Sequence, residues 1–202
     1  ADHSEPGTAP FWDDRHPGDI FSSTGASVCS ANACTPAGQY CRHRFRLCYC
    51  GDVPPLIYLN PPENARGYSS VYVGDAIGTG HARSTIGSPQ AWSAGTPHPT
   101  PPSYSGKEWM SIDAGAAHVV YGVVTQGRHQ TGQLVTSYKV EAYLSGGWVP
   151  VTNEAGSFTF TGNTDSDTQV WQRFSNPVTT QYVKFIPLSW NNHISMRAGL
   201  LI

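Results

Sequence analysis

From Tyr68 onward the apolar residues come in short or alternating runs: SVYV, AWSA, WMSI, HVVYGVV, LVTSYKVEAYL, GWVPV, SFTF, TQVWQRF, QYVKFIPL and ISMRAGLLI. A period of two marks a strand with one face turned inward, and a short unbroken apolar run marks a strand buried on both faces. Turn-forming clusters separate the runs, among them Ser145-Gly146-Gly147, Thr161-Gly162-Asn163, Asn176-Pro177 and Asn191-Asn192. Short strands punctuated in this way, with no alternation of strand and helix patterns, predict an all-β sandwich, jelly roll or barrel. The stretch WMSIDAGAAHVVYGVVTQGR, Trp109–Arg128, predicts a strand carrying Trp109, Ile112 and Asp113, then a turn at Gly115-Ala116-Ala117. A second strand over Val119–Val124 follows and opens into a Gly127-Arg128-His129 loop.

Before Tyr68 the pattern dissolves. Residues 1–28 mix Pro, Gly, Ser and charge without periodicity and read as an extended arm, with Phe11 and Trp12 as its anchors. All five cysteines (Cys29, Cys34, Cys41, Cys48 and Cys50) fall in the next window, 29–50. That density predicts a disulfide-stapled segment in an oxidising compartment, and the spacing lacks the C-x2-C pairs of a zinc site. Five is odd, so one thiol is left over to stay free or to bond another chain. Within the window, Arg42, Arg44 and Arg46 alternate with His43, Phe45 and Leu47, which predicts one strand with its arginines on one face. That face reads first as the solvated side of an edge strand and second as a patch for acidic glycan. Residues 51–67, with two Pro-Pro pairs, read as an extended linker, leaving 68–202 as the main domain.

Charge and motifs narrow the function. A formal charge of -2 removes the electrostatic case for nucleic acid. No apolar run is long enough to span a bilayer. The first residues lack the layout of a signal peptide, so the chain is expected to be a mature form of a secreted protein. No G-x-S-x-G motif occurs, and His81, His98, His118, His129 and His193 are not spaced as metal ligands, so no catalysis is expected. Asp113 is expected to serve a core arginine, with Arg83, Arg128 and Arg197 as candidates. Asn163, Asp165 and Asp167 carry oxygens at alternate positions, which suits either a turn that bonds its own backbone or, less well, calcium; no cofactor is otherwise indicated. The proline-rich Gly95–Gly106 predicts a stiff surface loop able to carry O-linked sugars on Thr96, Thr100 or Ser103, or to contact a neighbouring chain. There is no N-x-S/T sequon and no Arg-Gly-Asp.

The cysteine order C-x4-C-x6-C-x6-C-x-C resembles an epidermal-growth-factor-like module lacking its sixth cysteine. The resemblance implies Cys29–Cys41 and Cys34–Cys48 pairs with Cys50 unpaired. Further on, SSVYVGDAIGTGHARS, SPQAWSA, EWMSIDAG, YGVVTQGR, VTSYKVEAYL, FTGNTD and PVTTQYVKFIPLSWNNHISMRAGLL succeed one another in the order of a discoidin domain, also called the coagulation factor V/VIII type C domain. That resemblance, over residues 68–202, implies an eight-stranded jelly-roll sandwich whose loops at one end bind glycans, lipid head groups or proteins at cell surfaces or in matrix. It places the ligand-facing loops at Val71–Gly80, Ser84–Gln90 and Arg128–Gln133, and so nominates Tyr72, Asp75, Ile77, His81, Arg128 and His129. Two features depart from the family pattern. No cysteine follows the last strand, and Arg197 is followed by Ala198 and Gly199 rather than by an acidic residue two places on.

The tips are mainly Gly, Ser, Thr, Gln and His, so membrane insertion is not expected. Arg, His, Asp and an aromatic ring suit sugar hydroxyls. The expected function is therefore a non-catalytic extracellular adhesion module for glycans or surface glycoproteins. The alternative is a structural subunit of a matrix or surface assembly that engages protein partners and self-associates.

Overall fold

The computed structural model describes residues 57–202 in full and residues 39–44 and 47–52 as backbone strands. The chain divides into two units, Ala1–Leu56 and Ile57–Ile202. In the first, β1 (Gln39–Arg44) and β2 (Leu47–Asp52) form an antiparallel pair in which Cys41 stands opposite Cys50 and Arg44 opposite Leu47. The single strand expected over Arg42–Leu47 is instead the meeting of two: Arg42 and Arg44 lie on β1, and Arg46 is outside the described residues. The 1–28 arm is also outside them, as are Cys29 and Cys34. The growth-factor-like pairing therefore gains no support from the hairpin.

The second unit is a β-sandwich. Its strands are β3 (Tyr58–Leu59), β4 (Arg66–Tyr68), β5 (Trp92–Ser93), β6 (Met110–Gln126), β7 (Leu134–Leu144), β8 (Gly147–Pro150), β9 (Phe160–Thr161), β10 (Val170–Asn191) and β11 (Ser195–Leu201). The order β3-β11-β6-β10-β7-β8 runs through it, with β4 on β6, β5 on β11 and β9 on β7. On β7 the expected alternation holds: Tyr138, Val140 and Ala142 point into the core while Lys139 and Tyr143 face out. Every residue of β11 is buried, as expected for a central strand, Ser195 and Arg197 included. Met110, Ile112, Val123, Phe160, Val183, Phe185 and Leu200 complete one cluster, which supplies most of the hydrophobic drive to fold.

Two expected turns are absent as turns. Gly115-Ala116-Ala117 sits inside the 17-residue β6, and Asn176-Pro177 inside the 22-residue β10. Residues 114–117 stand opposite Gln181 alone, and residues 174–177 opposite Tyr121 alone. The two register shifts are equal and opposite, so pairing resumes in its original register beyond both. Bulges of this kind bend a strand without ending it, which lets β6 and β10 serve both layers. Gly115, at φ 79, supplies the left-handed residue the first bulge uses. Asp113 belongs to this bulge rather than to a core arginine. It is half-buried, and its Oδ1 accepts from the Gly115 N–H at 2.8 Å and from Gln181 Nε2 at 2.9 Å.

The segment read as a linker joins the sheet. Tyr58 and Leu59 pair with Leu201 and Leu200, and the buried Arg66 donates to the carbonyls of Pro61, Ser84 and Ala198 and to Asn60 Oδ1. Burial pulls Arg66 down to about 10, so it stays charged at neutral pH and ties the entry of the unit to its last strand. SVYV forms a 3-10 turn at Tyr72–Gly74 rather than a strand, with Val73 at φ 53 and Gly74 at φ 72.

Candidate functional site

Three loops are gathered by one side chain. Arg197 on β11 is only 2% exposed, although the strand pattern around it is apolar. Its Nε donates to Gly127 O (2.6 Å), Nη1 to Ser88 O (2.6 Å), and Nη2 to Ser166 O (2.7 Å) and Asp167 Oδ1 (3.0 Å). Gly127 closes β6, Ser88 lies in the loop before β5, and Ser166 lies between β9 and β10. A buried guanidinium is costly unless its donors are filled, and here backbone carbonyls fill them. The bond from His129 Nδ1 (2.7 Å), and after it the one from Arg197, hold the Asp167 carboxyl below the usual carboxylate range. The loop Gly162–Thr168 is a turn bonded to itself: Asp165 Oδ1 accepts from the N–H groups of Asp167 and Thr168, and Asn163 Nδ2 donates to Thr125 O and Thr168 O. Among the described residues no three His, Cys, Asp or Glu side chains are grouped as metal ligands.

Beside these loops lies an open cleft of about 260 Å³, lined by Tyr72, His81, Ser93, His98, Arg128, Gln133 and His193. His193, 1% exposed, forms its floor. Its ring meets the edge of Tyr72 at 5.5 Å and stacks on His98 at 5.2 Å. Tyr72 also meets His81 edge-on at 5.1 Å. Asp75 Oδ2 accepts from both the backbone N–H and Nδ1 of His81, each at 2.8 Å, and these two bonds hold the Asp75 carboxyl below its ordinary range. Gly80, at φ 40, makes this possible, because a Cβ there would collide with the Asp75 carboxylate. On the opposite wall Arg128 donates through Nε to Gln90 Oε1 (3.1 Å) and through Nη1 to Gln133 Oε1 (2.9 Å). With its oxygen so engaged, Gln133 turns its amide nitrogen to His98 Nε2 at 2.8 Å, which must then be the acceptor.

The polar groups left over point to what the cleft can do. Among the described residues no hydrogen bond uses Arg128 Nη2, His81 Nε2 or the Tyr72 hydroxyl; with the His81 proton on Nδ1 facing Asp75, Nε2 accepts, so one donor, one acceptor and one group of either role converge on the same space. Around them stand the ring surfaces of Tyr72, His98 and His193. Of the six nominated residues, Tyr72, His81 and Arg128 line the cleft and Asp75 stands one bond behind. Ile77 is 53% exposed on the 71–80 loop, together with Val73 at 73%, so that tip is apolar where small polar residues were expected. His129 is directed to Asp167 and is not among the lining residues. Ser93, His98, Gln133 and His193 were not nominated, although Gln133 closes the nominated Arg128–Gln133 loop. His193 follows the Asn191-Asn192 turn and His98 lies between prolines, which are the sequence signals for loop-borne histidines. Thr96 and Thr100 are 4% and 5% exposed, with both hydroxyls bonded internally, so neither is open to a glycan attachment; Ser103 is exposed.

An all-β sandwich with a polar, ring-lined cleft among loops at one end is the architecture of a binding module. Residues 67–200 match the F5/8 type C domain, and the chain belongs to that family. It is 39% identical over 106 residues to lactadherin of Rattus norvegicus, a match covering 50% of this chain and 25% of that protein. Neuropilin-1 of Xenopus laevis is 36% identical over 106 residues, covering 50% of this chain and 11% of that protein. The match thus spans a quarter or less of these relatives. Among solved structures, wild-type discoidin II of Dictyostelium discoideum superposes with a TM-score of 0.53 at 21% identity, covering 74% of this chain and 59% of that one. The family 32 carbohydrate-binding module of C. perfringens NanJ, in complex with galactose, gives a TM-score of 0.53 at 15% identity, covering 72% and 100%. At such identities these neighbours share the fold.

Proposed function

We propose that the chain is a non-catalytic extracellular module that recognises carbohydrate through the cleft between Tyr72, His81 and Arg128. The observation that carries this reading is the convergence of Arg128 Nη2, His81 Nε2 and the Tyr72 hydroxyl beside the His98 and His193 rings. A neutral sugar offers hydroxyls in several directions and an apolar ring face, and it is held by convergent hydrogen bonds and by stacking. The galactose complex of the NanJ module supports the ligand class. Galactose is accordingly the first probe. In a titration of the full chain, wild type saturates, and Arg128→Ala and His81→Ala each weaken binding about ten-fold or more, the worth of one well-aligned hydrogen bond to a charged or polar group. A glycan array on which wild type enriches no sugar, or on which both variants bind as wild type does, overturns the assignment.

A second reading, engagement of a surface or matrix protein, is favoured by the exposed Val73 and Ile77 beside the cleft. It predicts that Val73→Ser with Ile77→Ser abolishes adhesion to cells stripped of glycans while leaving galactose binding unchanged.

A further inference from the structure

A second cleft, of about 350 Å³, adjoins the first and is lined by Pro99, Thr100, Pro102, Leu188, Ser189, Trp190 and Asn192. The two share a wall. His98 lines one and Pro99 the other; His193 lines one and Asn192 the other. The wall is closed by two hydrogen bonds, Thr100 N–H to Asn192 O at 2.9 Å and Thr100 Oγ1 to His193 Nδ1 at 2.7 Å. Its outer rim, His98 and Pro99, is exposed, so a ligand can pass from one cleft to the other across a single dipeptide.

The lining of this second cleft is apolar on its walls and polar at its rim. Trp190 is held by its Nε1–H, which donates to Thr100 O at 2.9 Å and keeps the indole in one orientation. Pro99, Pro102 and Leu188 add rigid or compact apolar surface. Asn192 is exposed at φ 56, and no hydrogen bond among the described residues uses its amide. A rigid aromatic, flanking prolines and one unsatisfied amide suit a ring with an apolar face and hydroxyls at its edge.

We infer that this cleft is a second sugar subsite, so that the preferred ligand is an oligosaccharide: one pyranose sits at Arg128 and the next crosses the His98–Pro99 rim to lie against Trp190. This rests on the carbohydrate reading of the first cleft. The test titrates the isotope-labelled full chain with galactose and with the set of β-linked galactobioses. At least one galactobiose is expected to bind about five-fold more tightly than galactose, the gain that one sugar–aromatic stack provides. It should also move the Trp190 indole N–H resonance, which galactose leaves in place. Asn192→Gly keeps the left-handed backbone and removes the amide but not the Trp190 stack, so it should reduce the gain without abolishing it while leaving galactose affinity intact. If galactose binds at Arg128 but no galactobiose binds more tightly or moves Trp190, the subsite is overturned and the first cleft stands. If neither sugar binds, both readings fall together.

Discussion

Thr100 Oγ1 lies 2.7 Å from His193 Nδ1, and the direction of this bond fixes the form of the histidine beneath the cleft. On its other side, Nε2 is 3.0 Å from Ala94 O, a carbonyl that can only accept. The proton therefore sits on Nε2, and Nδ1 accepts from Thr100. Thr100 in turn accepts from Thr96, whose hydroxyl is 2.7 Å away. The floor of the cleft is a neutral imidazole with both nitrogens committed, offering a ligand only its ring.

That arrangement makes stability depend on pH. Burial, and after it the neighbouring His98, Arg128 and His81, lower the pKa of His193. In the unfolded chain the ring titrates near about 6.5. Below that value the unfolded state takes up a proton that the folded state refuses. Stability should be full above about pH 6.5 and fall as pH drops toward the lower folded value. Urea unfolding at about pH 7.5 and about pH 5.5 checks this, and His193→Gln should show a smaller loss between the two than wild type.

Thr100→Val keeps the shape of the side chain and removes the hydroxyl. It strands His193 Nδ1 without a donor and Thr96 without an acceptor, at a cost of about 1–3 kcal/mol. Thr100→Ser should recover most of it. Denaturant midpoints of the three proteins decide the matter.

Gly80→Ala should uncouple Asp75 from His81, since the added methyl occupies the space of the carboxylate. The strained φ costs about 1 kcal/mol. Galactose affinity should fall with little effect on amide exchange in residues 127–133, which hang from Arg197 on another wall. Unchanged affinity would show that the Asp75–His81 pair is not part of recognition.

Arg197→Met removes the donors for Gly127 O, Ser88 O and Ser166 O together. With orphaned carbonyls costing about 1–3 kcal/mol each and solvent recovering some of it, a loss of about 3 kcal/mol is expected. Hydrogen exchange should quicken in the loops around residues 84–90, 127–133 and 163–168, and far less on β7.

The strand pattern was legible wherever burial alternated, as on β7, or was continuous, as on β11. It misread Gly115-Ala116-Ala117 and Asn176-Pro177, because whether a glycine or proline ends a strand or bulges it depends on the partner strand, which local pattern does not contain. Tyr72, His81 and Arg128 were legible from the loops that carry them. His193 and His98 were not, since their positions depend on bonds to Thr100, Ala94 and Gln133 far away in the chain. His129 looked equivalent to Arg128, and only the position of Asp167 separates them. Thr96 and Thr100 looked like glycan attachment points because a proline-rich loop reads as exposed, whereas here it folds over its own hydroxyls.

The pairing of Tyr58 with Leu201 has a further consequence. Ile202 N–H donates to Ile57 O at 3.1 Å, so the first and last residues of the unit touch. Along the seven residues of β11, the cleft end at Ser195 is roughly 20 Å from that junction, at about 3.3 Å per residue. The unit is thus built as a cassette: a short splice could join residues 57 and 202 and new ends could be opened at the exposed Ser145-Gly146 turn. The reading end would remain turned away from the seam.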